Sequence, residues 1–564
     1  MNTGRMARAL CALLAVAVLA ACARIPLSGT VMEGQDMQAP DSQGVQFLPN
    51  SPVPGASQAE VVQGFLEAGT GTQSNYATAR SYLVDGLSGS WDPTERVLVH
   101  DGSSVMYTLV DELTVRVDLN VVAQVDANGV YTSYGTPQPY SLEYDVQRVE
   151  GEWRVSAAEQ GLVLMSEWFM QVFEPYTVYF YDSTFRYLVP DVRWFPGYTT
   201  APTRIVQAIL DGPSSWLAEG SVRSAFPPET VLRGPVTTED GTALADFSAA
   251  ISSAASDLFP LMLLQVTESL SGVTGIGTVM MSANGATIDV DPPPDDEVHS
   301  HAQVNATPLV YRDGEFGFLS GETITPPAES ERLATMLPNL GATRGTVSVD
   351  QGIGAFLTPR GVMAIPFLTG QPVAIDARES VAMPSIDPFG FVWTVASDSP
   401  DIHVSDISRQ YDEALDLGEF GRDGISSLQV SRDGARVVAL VRDDDRTRLV
   451  VAAIERTPGG GEPTGIGTPV SIPLGEGGPI EVTWVDETSI AILSSDGQGS
   501  SGVRVQQIGG DAEGYGAVEN GAQIAGSNSL AGLRLVDAAG NLFVPRNSRW
   551  MAQGTRIDFL VTQA

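Results

Sequence analysis

The second half of the chain repeats one kind of turn, and that repeat limits the available folds more than any other feature. Beyond residue 304 helical periodicity is absent. There β-rich runs alternate with turns built on an aspartate: Asp350-Gln351-Gly352, Asp387-Pro388-Phe389-Gly390, Arg432-Asp433-Gly434, Asp486-Glu487-Thr488 and Asp537-Ala538-Ala539-Gly540. Ser426-Ser427-Leu428-Gln429-Val430 before one turn and Arg436-Val437-Val438-Ala439-Leu440 after it are typical flanking strands. These aspartates stand 37, 46, 53 and 51 positions apart, close to the ~40–50 residues of propeller blades, which bury their faces only by stacking on neighbours. Residues 304–564 then form a β-propeller of five or six blades. A pair of β-sandwiches is the alternative that the uneven spacing leaves open.

The other end of the chain decides where such a fold sits. Arg5 and Arg8 precede an apolar run from Ala9 to Ala21, the layout of an export signal. Leu19-Ala20-Ala21-Cys22 places small residues ahead of a cysteine, so cleavage between Ala21 and Cys22 would expose that thiol for a diacylglycerol thioether and N-acylation. The expectation is a lipid-anchored protein on the extracytoplasmic face of the cell membrane. An ordinary secretory signal is the alternative, and the run is short of the ~20 apolar residues that a spanning helix needs.

Composition excludes several chemistries. The formal charge is −37, and removing residues 1–21 takes away two arginines and no acids, leaving −39. Nucleic acid and anionic lipid both want basic patches, so neither is expected as a partner. All 31 basic residues are arginine. Without lysine there is no Walker-type phosphate lysine, Schiff base or Ser-x-x-Lys site. Cys11 leaves with the signal, so the mature chain has Cys22 alone and no disulfide, and it must fold by burial.

Between anchor and propeller the pattern changes twice. Residues 22–55 read as a tether that stiffens at Pro49-Asn50-Ser51-Pro52-Val53-Pro54. Ser57 and Glu60 make a capping box before Val61, Val62, Phe65 and Leu66, and a second helix turns Tyr76, Ala79 and Leu83 inward. Leu113, Val115, Val117, Leu119 and Val121 then alternate with polar residues, a strand wet on one face. Helices followed by a long antiparallel sheet predict a cystatin-like α+β domain over residues 56–165. A second α+β domain is expected over 174–291. It has a strand at Thr177-Val178-Tyr179-Phe180, a helix with Ile205, Ala208 and Ile209 inward, and a helix with Leu263, Val266, Thr267 and Leu270 inward. An Asn284-Gly285 hairpin closes it.

The order Val178-Tyr179-Phe180, Leu188-Val189-Pro190-Asp191, Ile209-Leu210-Asp211-Gly212-Pro213 and Ala225-Phe226-Pro227 resembles the GerMN domain of bacterial envelope and spore proteins. With Cys22-Ala23-Arg24-Ile25-Pro26 and Ala79-Arg80-Ser81-Tyr82-Leu83 ahead of it, the chain is similar to the LpqB lipoproteins of actinobacteria. That resemblance implies a C-terminal propeller and a non-enzymatic role. The partner it implies is the extracytoplasmic domain of a two-component sensor histidine kinase of the MtrA/MtrB type, with effects on envelope and cell-division signalling. A solute- or glycan-binding lipoprotein is the main alternative, and an envelope hydrolase using propeller carboxylates a third.

Few residues stand out as a site, and no catalytic, cofactor or metal residue is assigned. Asp291-Pro292-Pro293-Pro294-Asp295-Asp296-Glu297 opens an acidic linker over 292–303, and His299 and His301 follow it. Two histidines fall short of the four fixed ligands of a structural metal site, so a solvated loop is the simpler reading. Arg442-Asp443-Asp444-Asp445-Arg446 lacks the order of a calcium loop and reads as a polar hairpin tip. The aromatic runs at 168–180 and 187–195 read as domain core.

Overall fold

The computed structural model describes residues 48–564 apart from 198–199, 218–219, 295–296, 419–420, 445 and 460. These residues lie in one compact unit, Val45–Ala564. Ala21, Cys22 and nearly all of the tether lie outside the described residues. Two α+β modules lead into an all-β propeller.

In the first module Ser57 caps the helix Gln58–Glu67 with both halves of the capping box in place. Val61, Val62 and Phe65 are buried from that helix, and Tyr76 and Ala79 from the next, Gln73–Arg80. They cover a sheet ordered Glu152–Ala157, Tyr131–Val149, Thr114–Asp126, Arg96–His100, Leu162–Met165, with Met106–Leu109 also paired to Thr114–Asp126. Burial alternates strictly along Thr114–Asp126, as β-branched and polar residues at period two dictate. Two details differ from the sequence reading. Leu162–Met165 runs parallel to its neighbour, and Leu113 stands exposed at a hairpin tip instead of facing inward.

The second module pairs Phe173–Asp182 with Leu188–Pro196 and Val222–Arg223, beside a four-stranded sheet from Thr237–Glu239 to Ala286–Ile288. Asn284 and Gly285 both take positive φ, 50° and 80°, as a tight hairpin of this twist requires. The helix Leu258–Leu270 buries Met262, Leu264, Gln265, Val266, Ser269 and Leu270, so Val266 and Leu270 face inward as expected, but the face is turned away from Leu263 and Thr267, which are only half-buried. The turn has a polar cause. Gln265 accepts from the Ala225 amide (3.0 Å) and donates to the Tyr179 carbonyl (2.8 Å), and the Ser269 hydroxyl accepts from the Tyr179 amide (2.9 Å). Those backbone groups would otherwise be buried and unpaired.

Among the described residues the C-terminal region has six blades. Their first strands are Arg344–Ser348, Ser385–Ile386, Ile425–Val430, Gly478–Trp484, Gly521–Ala525 and, for blade 6, the C-terminal Phe559–Gln563. Each first strand neighbours the next around the axis. Phe559–Gln563 pairs antiparallel with Leu309–Arg312 and parallel with Arg344–Ser348, which closes the ring. A helix, Leu333–Leu340, lies between blade 6 and blade 1, where no helical periodicity is visible in the sequence. It is a short helix with Pro338 near its end, stopped by Gly341 in the left-handed region, and it buries only Leu333 and Leu337.

Four of the five turn aspartates are structural, whereas Asp350 is exposed in a turn closed by the Gly352 amide on the Val349 carbonyl. Asp387, Asp433, Asp486 and Asp537 each accept from backbone amides of their own turn, at 2.7–3.0 Å. Asp387 also accepts from Trp393 (3.0 Å) and from the fully buried Arg456 (2.6 Å). Side chains stitch one blade to the next: Ser385 to the Val430 amide, Ser427 to Val482, Thr483 to Gly526, and Gln523 to Leu560. Across the axis, Arg344 of blade 1 pairs with the buried Glu481 of blade 4, so an ion pair bridges the central channel.

Candidate functional site

The residues with the most perturbed chemistry gather where the second module meets the propeller. Phe173–Asp182 presents Tyr179 toward the turn of blade 4, and its hydroxyl donates to Glu487 at 2.5 Å. His301 lies between two carboxylates, with Nε2 3.4 Å from Glu268 on the helix Leu258–Leu270 and Nδ1 3.0 Å from Glu487. Hydrogen bonds to Glu268 and Glu487 raise the imidazole to about 10, so it is a cation at neutral pH. Burial pushes Glu487 up, but hydrogen bonds from His301 and Tyr179 outweigh it and hold the carboxyl below its ordinary range. Burial, then the Glu487 charge, raise the Tyr179 hydroxyl. The cluster is a charged lock rather than an acid–base pair, because each proton is held by a partner that needs it there.

More contacts extend this seam. Arg436, fully buried beneath blade 3, pairs with Asp433, donates to the Glu487 carbonyl (2.7 Å) and reaches the Pro190 carbonyl at 3.5 Å. Inside the second module, where it lines the junction, Asp191 accepts from Arg193 (2.7 Å) and from the hydroxyl and amide of Ser214 (2.6 and 2.8 Å), all buried. The first module joins through Tyr131, which donates to Asp511 (2.7 Å), while Trp194 of the second donates to the Gly509 carbonyl (2.8 Å). Where the three modules meet they leave a cavity of about 160 Å³. Val130, Val192, Trp216, Ile472 and Ile508 form much of its apolar wall, and Arg436 reaches its edge.

Comparison with known proteins identifies this assembly. The family model described as the N-terminal domain of Lipoprotein LpqB matches residues 51–170, and the model of the LpqB β-propeller domain matches residues 340–557. The chain belongs to the LpqB lipoprotein family. Residues 177–289, between these matches, fit the model described as "Sporulation and spore germination". Lipoprotein LpqB of Bifidobacterium longum is 26% identical over 77% of this chain and 75% of its own length. That of Cutibacterium acnes is 24% identical over 85% of each. The first GerMN domain of the sporulation protein GerM from Bacillus subtilis aligns over 22% of this chain and 96% of its own, at 23% identity. Its TM-score of 0.19 is too low to argue from.

Within this LpqB-family chain the sequence-nominated residues fare differently. Ala21 and Cys22 lie outside the described residues. His299 and His301 do not share a site. The His299 backbone joins Arg186 and Leu188, and its ring stacks on Tyr187 at 5.0 Å. The stretch read as a solvated loop is thus partly packed: Val298 is buried and His299 half-buried, whereas His301 and Gln303 stay exposed. Among the described residues no group of three or more His, Cys, Asp or Glu side chains is placed to hold a metal ion. Arg442, Asp443 and Arg446 lie at the facing ends of two antiparallel strands of blade 3, and Asp443 pairs with Arg448. Glu268, Glu487, Tyr179 and Arg436 escaped the sequence reading. Only their mutual contacts betray them, and those join residues from 33 positions apart (Glu268 and His301) to 308 (Tyr179 and Glu487).

Proposed function

We propose that this LpqB-family lipoprotein is cleaved between Ala21 and Cys22 and held on the extracytoplasmic face of the membrane by acyl groups on Cys22. There it binds the extracytoplasmic domain of a two-component sensor kinase of the MtrA/MtrB type as an accessory protein. One lipid chain holds a protein only marginally, so stable anchoring needs the two or three acyl chains that a diacylglycerol thioether and an N-acyl group supply. The observation that carries the reading is the seam. Charged and aromatic contacts join two α+β modules and a propeller into one body, and the Arg344–Glu481 pair bridges the axis where propellers offer a funnel. Such a body offers wide, preorganised surfaces, which favour protein contact because little ordering is lost on binding.

Surface plasmon resonance between the full-length protein and the cognate kinase ectodomain tests it. Micromolar or tighter binding that weakens with salt is the expected result. No binding at low salt overturns the reading. The cavity at the triple junction favours a second reading, a small solute bound between the modules. A metabolite panel that raises the melting temperature without any kinase binding would favour that instead.

A further inference from the structure

Most large apolar side chains left in the open stand apart from one another along the chain, but three gather at one hairpin tip of the first module. Met106–Leu109 turns through Val110, Asp111 and Glu112 into Leu113 and the strand Thr114–Asp126. Leu109, Val110 and Leu113 are 50%, 49% and 54% exposed. Leu109 lies opposite Val115, a residue of the core that the helix Gln58–Glu67 covers. The apolar stripe of the sheet thus runs on past its cover.

The tip is built, not frayed. The Val110 amide donates to the Thr114 carbonyl (2.9 Å), and the Asp111 carboxylate accepts from the Leu113 amide (2.8 Å). Gln58 donates to the Glu112 carbonyl (3.3 Å), and the Val146 amide to that of Leu113 (2.7 Å). Four anchors hold three exposed apolar side chains in fixed positions, so they meet a partner with little ordering cost.

Charge selects the partner. Asp111 and Glu112 sit between the apolar residues, and Glu143 and Asp145 are exposed on the adjacent strand. An anionic lipid surface would repel this end. A protein pocket with an apolar floor and an arginine or lysine rim gains from both parts of the tip, the floor through burial and the rim through faster encounter. Resting on the kinase reading above, we propose that residues 109–113 form the ridge by which this protein seats in a basic-rimmed apolar pocket of the kinase ectodomain.

The test uses full-length protein in detergent over immobilised kinase ectodomain, with wild type, the double variant Val110→Ser/Leu113→Ser, Glu112→Arg, and Leu368→Ser as an exposed control elsewhere. The double variant is expected to weaken binding about tenfold or more, as loss of central anchors does. Glu112→Arg should slow association several-fold and flatten its salt dependence. Leu368→Ser should bind like wild type. If the double variant does not fold, Glu112→Arg alone decides. Tip variants that bind as tightly as wild type overturn this inference and leave the kinase reading standing, whereas wild type that fails to bind overturns that reading itself. Flotation of the full-length Cys22→Ala protein with phosphatidylglycerol vesicles, lost in the double variant, would make the tip a membrane face and overturn the inference too.

Discussion

The propeller and the first module both have to end a sheet, and they do so in opposite ways. The propeller brings its last strand, Phe559–Gln563, back between Leu309–Arg312 and Arg344–Ser348, so the ring keeps no open seam. The first module lets Met106–Leu109 pair on one side only and carries its apolar stripe into the open at Leu113. Closure uses residues some 250 positions apart and spends surface on stability. The open hairpin is held by its own turn and by Gln58 and Val146, all within about 55 residues, and keeps surface free for a partner.

Breaking the closed sheet should have the largest effect. Phe559, fully buried against Tyr311 at 5.2 Å, should not tolerate a charge. Phe559→Asp should cost more than about 4 kcal/mol, because an unpaired buried carboxylate adds to the lost packing. The expected readout is an insoluble chain or loss of the propeller's cooperative melt. Next comes Asp387→Ala, which leaves the Trp393 N–H without its acceptor and the buried Arg456 charge with only the Gly434 and Gly461 carbonyls. It should cost about 3–5 kcal/mol in denaturant unfolding.

These outcomes bear on what the sequence disclosed. Alternation along Thr114–Asp126, the Asn284-Gly285 turn and the turn aspartates other than Asp350 were legible, because each is decided by neighbours a few residues away. The inward face of Leu258–Leu270 was misread, since Gln265 and Ser269 are buried by hydrogen bonds to a strand some 90 residues earlier. The helix Leu333–Leu340 was missed because eight residues ending around Pro338 show little period. His301 looked like part of a solvated linker, and its partners lie on a helix before it and a turn almost 190 residues after it. Leu113 looked inward because alternation records which face a residue takes and says nothing of where the covering helix ends.

A smaller effect should follow pH. His301 is raised in the folded state from an ordinary value of about 6.5 to about 10. Its contribution is therefore full below about pH 6.5 and is lost as pH rises through about 10. The side chain is 45% exposed, so solvent screening should leave about 1 kcal/mol of it. Thermal melts should fall by a few degrees between pH 6 and pH 10, and His301→Gln should flatten that dependence. Glu487 is held low, so its share persists at neutral pH and fades in acid as the carboxyl protonates. The smallest effect should come from the open end. Val110→Ser/Leu113→Ser should shift the melt by no more than about 1 kcal/mol, since half-exposed residues lose little burial. A large loss would mean that the tip is core.

The central claim is that the seam around Tyr179, His301, Arg436 and Glu487 welds the second module to the propeller. A protease site inserted after the exposed Pro294, ahead of the buried Val298, severs the backbone without touching those contacts. After cleavage at pH 6 and micromolar concentration, the two pieces should elute from a sizing column as one species of the uncut size. Elution as two separate fragments would contradict the account.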